Sequence, residues 1–349
     1  MERFSYFVRR LLLIIPTFLG ITFLCFAITQ AVPGGPLEQY LSRMRGLGSG
    51  EAGGGGTGVV ANLSDEQLAA IKKDFGFDKP LLVQYWDWLG PKKLGLQAES
   101  YKYNNKTVWQ LIKERFPISL TFGIPGFILT YLICIPLGIA KALRNGKPFD
   151  VFSSVVVLTL YAIPAFAFGM ILKTLFCGTV DGFWDFFPIG GFRSEGWENF
   201  SFQQKVQDQV EHMFLPVLCY VIGNFAVLTL LMKNSLLDQI GQDYVRTVLA
   251  KGGAVRRVIW GHALRNAVIP IVTGIGGILS IMFAGSVLIE RVFDINGIGL
   301  LSLDAIMGRD YRVFMGIVAL TSIAGMLGRI LSDFCYILVD PRISFGKDF

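Results

Sequence analysis

The sequence predicts an all-α membrane protein with six transmembrane helices, and two observations carry that prediction. Hydrophobic residues make up 52% of the 349 and charged ones only 17%, against about 25% charged in ordinary soluble domains. The charges are also missing from long stretches: Leu11–Val32, Phe116–Ala140, Val151–Leu172, Met213–Met232 and Asn266–Ile289 carry none. Each stretch is at least 20 residues long, enough for a helix rising about 1.5 Å per residue to cross a hydrocarbon core of about 30 Å. In lipid every backbone N–H and C=O has to be satisfied within the segment, which selects helices over strands for runs of this length. The two soluble domains that length alone would suggest are set aside.

In chain order, the first stretch follows Arg9 and Arg10, exceeds the apolar region of a signal peptide, and has no small-residue cleavage site closing it. It is expected to stay as the first span, within residues 1–32. Residues 33–115 then form a long extracytoplasmic segment. Within it Ser64-Asp65-Glu66-Gln67 has capping-box spacing, the residues to Asp74 suit a helix, and Gly76 ends it before Pro80. Ahead of that helix the glycine-rich stretch 46–58 reads as a linker, and with no Gly-Lys-Ser/Thr after it, it is not a phosphate loop. Five spans follow in a core over 116–339. The sixth span is free of charge from Val313 to Gly328 and runs apolar to Val339, interrupted by Arg329 and Asp333. Four residues apart on one helical face, these two can pair with each other or snorkel to the interface. Residues 340–349 remain as a cytoplasmic tail.

Short basic loops set the orientation. Arg3, Arg9 and Arg10 precede the first span, Lys141, Arg144 and Lys147 lie in the loop 141–150, and Lys233, Arg246, Lys251, Arg256, Arg257 and Arg265 lie in the loop 233–265. By contrast 181–212 has two basic residues against six acidic ones, and 290–312 three against four. Both termini are accordingly expected in the cytoplasm. The formal charge of +6 follows these inside loops without interleaved aromatics for stacking bases, so no nucleic-acid partner is expected. Cys25, Cys134, Cys177, Cys219 and Cys335 fall in spans without Cys-x-x-Cys spacing and read as buried thiols. His212 and His262 fall on opposite sides of the membrane and cannot share a metal.

No nucleophile motif, metal cluster or phosphate loop emerges, so catalysis by the chain itself is not expected and transport is. Lys173, Arg329 and Asp333 lie near span ends rather than at mid-membrane, which weakens an ion-driven secondary carrier; that carrier, or a channel acting without an ATPase, stands as the alternative. Asn224, in the middle of the fourth span, either lines a polar path or bonds a neighbouring helix. The loop between the fourth and fifth spans says most. Asp243 is expected to cap a short helix with Val245, Val248 and Leu249 on one face, and Gly252 to stop it. A second helix then places Val255, Val258, Ile259 and Ala263 on one side, with Arg256, Arg257 and Arg265 flanking them. Such a helix-glycine-helix can rest on anionic lipid or plug into a groove of a cytoplasmic partner, and the residues alone leave both uses open.

This loop resembles the coupling motif of ABC importer membrane subunits, in the form of the oligopeptide and dipeptide permeases: Tyr-Val-x-Thr-Ala-x-Ala-Lys-Gly, then His-x-x-Arg-Asn-Ala. Tyr244, Val245, Thr247, Ala250, Lys251, Gly252, His262, Arg265, Asn266 and Ala267 match it, while Val248 in place of alanine and Gly253 after the glycine depart from it. Further marks of that family run along nearly the whole chain. Toward the start they are Arg9 to Thr17 with Pro33-Gly34-Gly35-Pro36, Gly76 to Pro80 with Gln84-Tyr85, Ser119-Leu-Thr, and Ile135 to Gly138. Later come Ile163-Pro164, Lys233-Asn234-Ser235, Glu290 with Phe293 and Gly297-Ile-Gly299, Arg309-Asp310-Tyr311, and Asp333 with Asp340-Pro341-Arg342.

The likeness implies a type I ABC importer permease in a bacterial inner membrane, forming half of a path for peptides and for peptide antibiotics such as microcin C. Its implied partners are a second permease subunit in a heterodimer, two ATP-binding subunits that use ATP and magnesium, and an extracytoplasmic peptide-binding protein. No cofactor is implied on the chain itself. ATPase coupling is carried over to Tyr244, Val245, Thr247, Val248, Ala250, Lys251, Gly252, Arg265 and Asn266. By the same likeness, closure of the ATP-binding subunits opens the bundle outward through this loop, and hydrolysis resets it.

Overall fold

The computed structural model describes residues 2–31, 79–90, 94–103, 105–180, 182–279 and 285–339. The expected linker 46–58, the capping-box helix from Ser64 and the tail 340–349 lie outside them. The described elements that matter here are helices: α1 Glu2–Ala31, α2 Leu81–Leu89, α3 Val108–Leu143, α4 Pro148–Ala162, α5 Ala165–Phe176, α6 Phe202–Ile240, α7 Asp243–Ala250, α8 Val255–Leu279, α9 Val287–Val292, α10 Ile298–Met307 and α11 Tyr311–Val339. Five of them, α1, α3, α6, α8 and α11, are long and apolar enough to cross a membrane, and α4 with α5, taken together as one bent span, brings the number to six. This is the all-α, multi-pass architecture that the charge-free stretches predict.

Two of the spans are not the straight rods those stretches suggest. The third is bent by 93° between α4 and α5. Pro164 has no N–H to give and its ring pushes the preceding residue out of the helical region, so Ile163 is extended at φ −93° and ψ 119°. The Ile-Pro pair is as apolar as its surroundings, and hydrophobicity does not register it. The fifth span begins at Val255 rather than Asn266. The second helix of the loop is therefore the first part of that span, running through a π-helical turn at Ile259–Ala263. At the other end of the loop, Lys233 to Ile240 belong to α6, which leaves α7 as the separate helix. Gln242, not Asp243, holds the cap position of α7, and Asp243 lies in its first turn.

The chain divides into two compact units, one of Met1–Leu12, Phe116–Leu300 and Ala324–Phe349, the other of Leu13–Arg115 and Leu301–Ile323. In the first, one core joins Cys134, Ile139 and Ala142 of α3, Leu228, Met232 and Leu236 of α6, Val245 of α7, and Val258, Ala263, Ala267 and Ile271 of α8. Gly138 lets α3 and α6 meet, since a Cβ there would lie 2.6 Å from Met232 Cβ and 2.7 Å from the Thr229 carbonyl. A second core gathers Phe122, Leu172, Leu215, Cys219, Ile289, Phe293 and Ile295.

In the second unit Phe26, Tyr85, Trp88, Met315 and Ala319 pack together, with the Tyr85 hydroxyl 2.8 Å from Thr22 Oγ1. Asp310 is fully buried and caps α11. Its Oδ1 accepts from the Val313 N–H at 3.3 Å, while Oδ2 accepts from the Lys102 N–H at 3.0 Å and from the Ser100 hydroxyl.

Several charges expected at the water interface are held inside the protein. Lys141 is 0% exposed and Asp150 4%. Lys141 Nζ lies 3.2 Å and Lys233 Nζ 2.8 Å from the Asp150 carboxylate, and Lys141 also donates to Ser153 and Ser154 at 2.9 and 2.6 Å. This cluster ties together the ends of α3, α4 and α6. Lys173, near the end of its span, donates its ammonium to the Val292 carbonyl at the end of α9, at 2.8 Å. Asp333 pairs with Arg10 rather than with Arg329. All five cysteines are free thiols, Cys134, Cys177 and Cys219 buried and Cys25 and Cys335 partly so.

Candidate functional site

Helix α7 is short, yet it is fixed at both ends. At its end the Gly252 N–H donates to the Leu249 carbonyl at 2.9 Å and the Gly253 N–H to the Val248 carbonyl at 3.1 Å, the paired bonds of a Schellman cap. Gly252 adopts φ +83°, which glycine takes without strain, and among the described residues no heavy atom lies within 4 Å of where its Cβ would be. Gly253 is the tight position: a Cβ there would meet the Val248 carbonyl at 2.9 Å and Val258 at 3.2 Å. In the sequence Gly253 stands only as a departure from the motif, whereas in the structure it lets α7 turn directly onto α8.

The nine residues to which the resemblance assigns coupling separate into three groups. Val245 is 2% exposed and, with Val248, packs into the core built from α3, α6 and α8. Leu249, expected on the same face, is 38% exposed. Tyr244, Arg265 and Asn266 share the wall of a cavity of about 810 Å³, together with Ser235, Gln239 and His262. Here the two halves of the motif meet: Asn266 Nδ2 donates to the Tyr244 hydroxyl at 3.2 Å, and that hydroxyl donates to Gln239 Oε1 at 2.9 Å. Ser235 adds a bond to the Ala267 carbonyl at 2.7 Å. Thr247, Ala250, Lys251 and Gly252 stay on the exposed side, with the exposed Val255 and Trp260 nearby in sequence on α8. An apolar α7 face is thus anchored in the bundle while the opposite face is open to a partner.

Asn224 lies about halfway along α6. It is exposed and lines a second cavity, of about 280 Å³, with Phe127, Tyr131, Tyr220 and Gly274 among its other walls. This cavity is bounded by α3, α6 and α8.

A third assembly joins marks that sequence reasoning kept apart. The Glu290 carboxylate, 1% exposed, accepts from the Ser119 hydroxyl at 3.0 Å and the Leu300 N–H at 2.7 Å. Ser119 in turn accepts from the Ile298 N–H at 2.8 Å. A Cβ on Gly285, Gly297 or Gly299 would come within 2.2, 2.5 or 3.0 Å of the Glu290 carboxyl oxygens, so the three glycines form its cradle. Burial pushes this carboxyl up to about 7. His212 is structural as well, its ring nitrogens 3.2 Å from Ser194 Oγ and 3.1 Å from the Gly191 carbonyl.

Comparison with known proteins gives this arrangement its context. Residues 134–345 match the family model described as binding-protein-dependent transport system inner membrane component. Among similar proteins, the inner membrane ABC transporter permease protein YejB of Escherichia coli O157:H7 is 39% identical, over 98% of this chain and 99% of its own length. The peptidoglycan transport system permease protein YejB of Agrobacterium fabrum is 36% identical with the same coverage of both chains. The oligopeptide transport system permease protein AppB of Bacillus subtilis is 33% identical, again over 98% of this chain and 99% of its own. With a family model spanning more than half of its length and relatives aligned end to end, the chain belongs to the family of binding-protein-dependent transport system inner membrane components.

Proposed function

We propose that the chain carries peptides, as the permease half of an importer completed by a second permease subunit, two ATP-binding subunits and an extracytoplasmic binding protein. The cargoes named for its relatives, oligopeptide, dipeptide and peptidoglycan, share peptide chemistry, and peptide antibiotics fall in the same class. In this reading both termini and α7 face the cytoplasm, and residues 33–115 face the binding protein. The chain contributes no catalytic group, and ATP with magnesium is used by the partners.

The observation that carries the coupling role is the double attachment of α7. Its Val245 and Val248 are set in the core and its Tyr244 is bonded to Asn266 and Gln239, so a force on its outer face reaches α6 and α8 directly. Thr247, Ala250, Lys251 and Gly252 form the contact with the ATP-binding subunits, and Tyr244, Arg265 and Asn266 transmit it. Because a ligand shifts an equilibrium only by its differential affinity for the two states, ATP drives the bundle outward through the pairing of its binding subunits on this face. The test is affinity purification from native membranes followed by reconstitution. A second permease and ATP-binding subunits are expected to accompany the chain, and ATP-dependent peptide uptake to require all of them. Ion-driven uptake by the purified chain alone would refute the reading.

A further inference from the structure

The geometry points to a subsite for the peptide backbone at Asn224, an inference that rests on the peptide reading above. Asn224 sits near the middle of a 39-residue helix, is exposed, and has no hydrogen-bond partner among the described residues. A primary amide left against hydrocarbon keeps two donors and an acceptor unsatisfied, so the fold needs something polar opposite this face. The face is concave: Asn224 opens onto the cavity of about 280 Å³ between α3, α6 and α8.

The walls of that cavity indicate what fills it. Among the described residues none that lines it is charged, so it is not built for a chain terminus or for an acidic or basic side chain. Phe127 and Tyr131 stack at 4.6 Å and make one flat aromatic wall. Tyr131 stands over Gly274, where a Cβ would lie 2.6 Å from its hydroxyl, and that hydroxyl makes only a long bond, 3.4 Å, to the Ile271 carbonyl. An Asn amide beside an aromatic surface matches a peptide unit, whose N–H and C=O pair with Asn Oδ1 and Nδ2 while the neighbouring side chain lies on the ring. At about 280 Å³ the cavity lies at the lower edge of the roughly 300–1,000 Å³ of small-ligand sites, with room for a segment of a longer substrate. Recognition of the backbone, and not of side-chain charge, suits a passage for peptides of varied sequence.

The test uses the complete transporter in proteoliposomes, with tetraalanine and its analogue in which the middle amide is replaced by an ester. Each uptake rate is divided by the affinity of the binding protein for that compound. The wild type is expected to favour the amide by about five- to tenfold, the worth of one hydrogen bond. In Asn224→Leu the ratio falls toward one, while the subunits still co-purify and the docked binding protein still stimulates ATP hydrolysis. If Asn224→Leu does not assemble, Asn224→Ala decides by the same ratio. An assembled variant that keeps the wild-type ratio overturns the subsite, and so does failed assembly of both variants, which makes Asn224 a subunit contact. A wild type that carries neither compound refutes the peptide reading itself, and the subsite with it.

Discussion

At Gly252 and Gly253 two adjacent glycines do different jobs. A side chain at Gly252 meets nothing in this chain but has to hold a left-handed backbone, which costs an L-residue about 1–2 kcal/mol. Gly252→Ala is expected to lower the Tm of the purified complex modestly. Gly252→Arg should insert normally yet abolish ATPase stimulation and uptake, because the arginine projects into whatever docks on α7; unchanged uptake would remove Gly252 from that contact. Gly253→Ala should cost more stability than Gly252→Ala, since its Cβ meets the Val248 carbonyl, even though Gly253 stands outside the recognised motif. Ser119→Ala strands the buried Ile298 N–H and the Glu290 carboxyl, an expected loss of about 1–3 kcal/mol in thermal unfolding. Glu290 itself is raised from 4.5 to about 7 by burial. A raised carboxyl contributes stability that is full below its ordinary value and is lost as pH climbs through the folded one. The wild-type Tm should therefore decline between about pH 4.5 and pH 7, and Glu290→Gln should flatten that slope. Ser119, Glu290, Gly297 and Gly299 are all visible in the sequence as separate marks. Their meeting is not, because Ser119 and Glu290 lie 171 positions apart and no local pattern reports a contact at that distance.

Among the elements, length and charge reveal α1, α3, α6 and α11 because crossing a membrane is a local requirement, written in twenty-odd consecutive residues. The bend between α4 and α5 depends on backbone dihedrals at Ile163 and Pro164, to which hydropathy is blind. Proline alone does not give it away, since Pro117, Pro125 and Pro136 leave α3 continuous. The start of α8 is hidden for another reason. Arg256, Arg257 and Arg265 interrupt the apolar run in sequence, but the helix carries all three on its exposed side while Val258, Ala263 and Ala267 are 0 to 1% exposed. The lysines at 141 and 233 read as markers of an inside loop, and only the packing shows that they bracket Asp150. Asp150→Asn leaves two ammonium groups without their counter-charge in a site that excludes water. An expected loss of about 3–5 kcal/mol follows, to be read as a large drop in Tm with weakened attachment of α4 to α6.

At the scale of the whole molecule, the sparse charge and the family agree on a passage whose energy comes from other chains. Residues 46–58 are expected to be a spacer, so their deletion should leave peptide uptake near the wild-type rate; a complete loss would give the stretch a role of its own. The 93° bend has a further consequence. It interrupts a span near its middle, where the last carbonyls of α4 have run out of helical amides, and Tyr161, Ala162 and Pro164 around it are exposed. Irregular backbone at membrane depth survives only where protein or water covers it. The bend is accordingly a place where this part of the chain needs a neighbouring helix or water beside it, which an unbroken helix would not need.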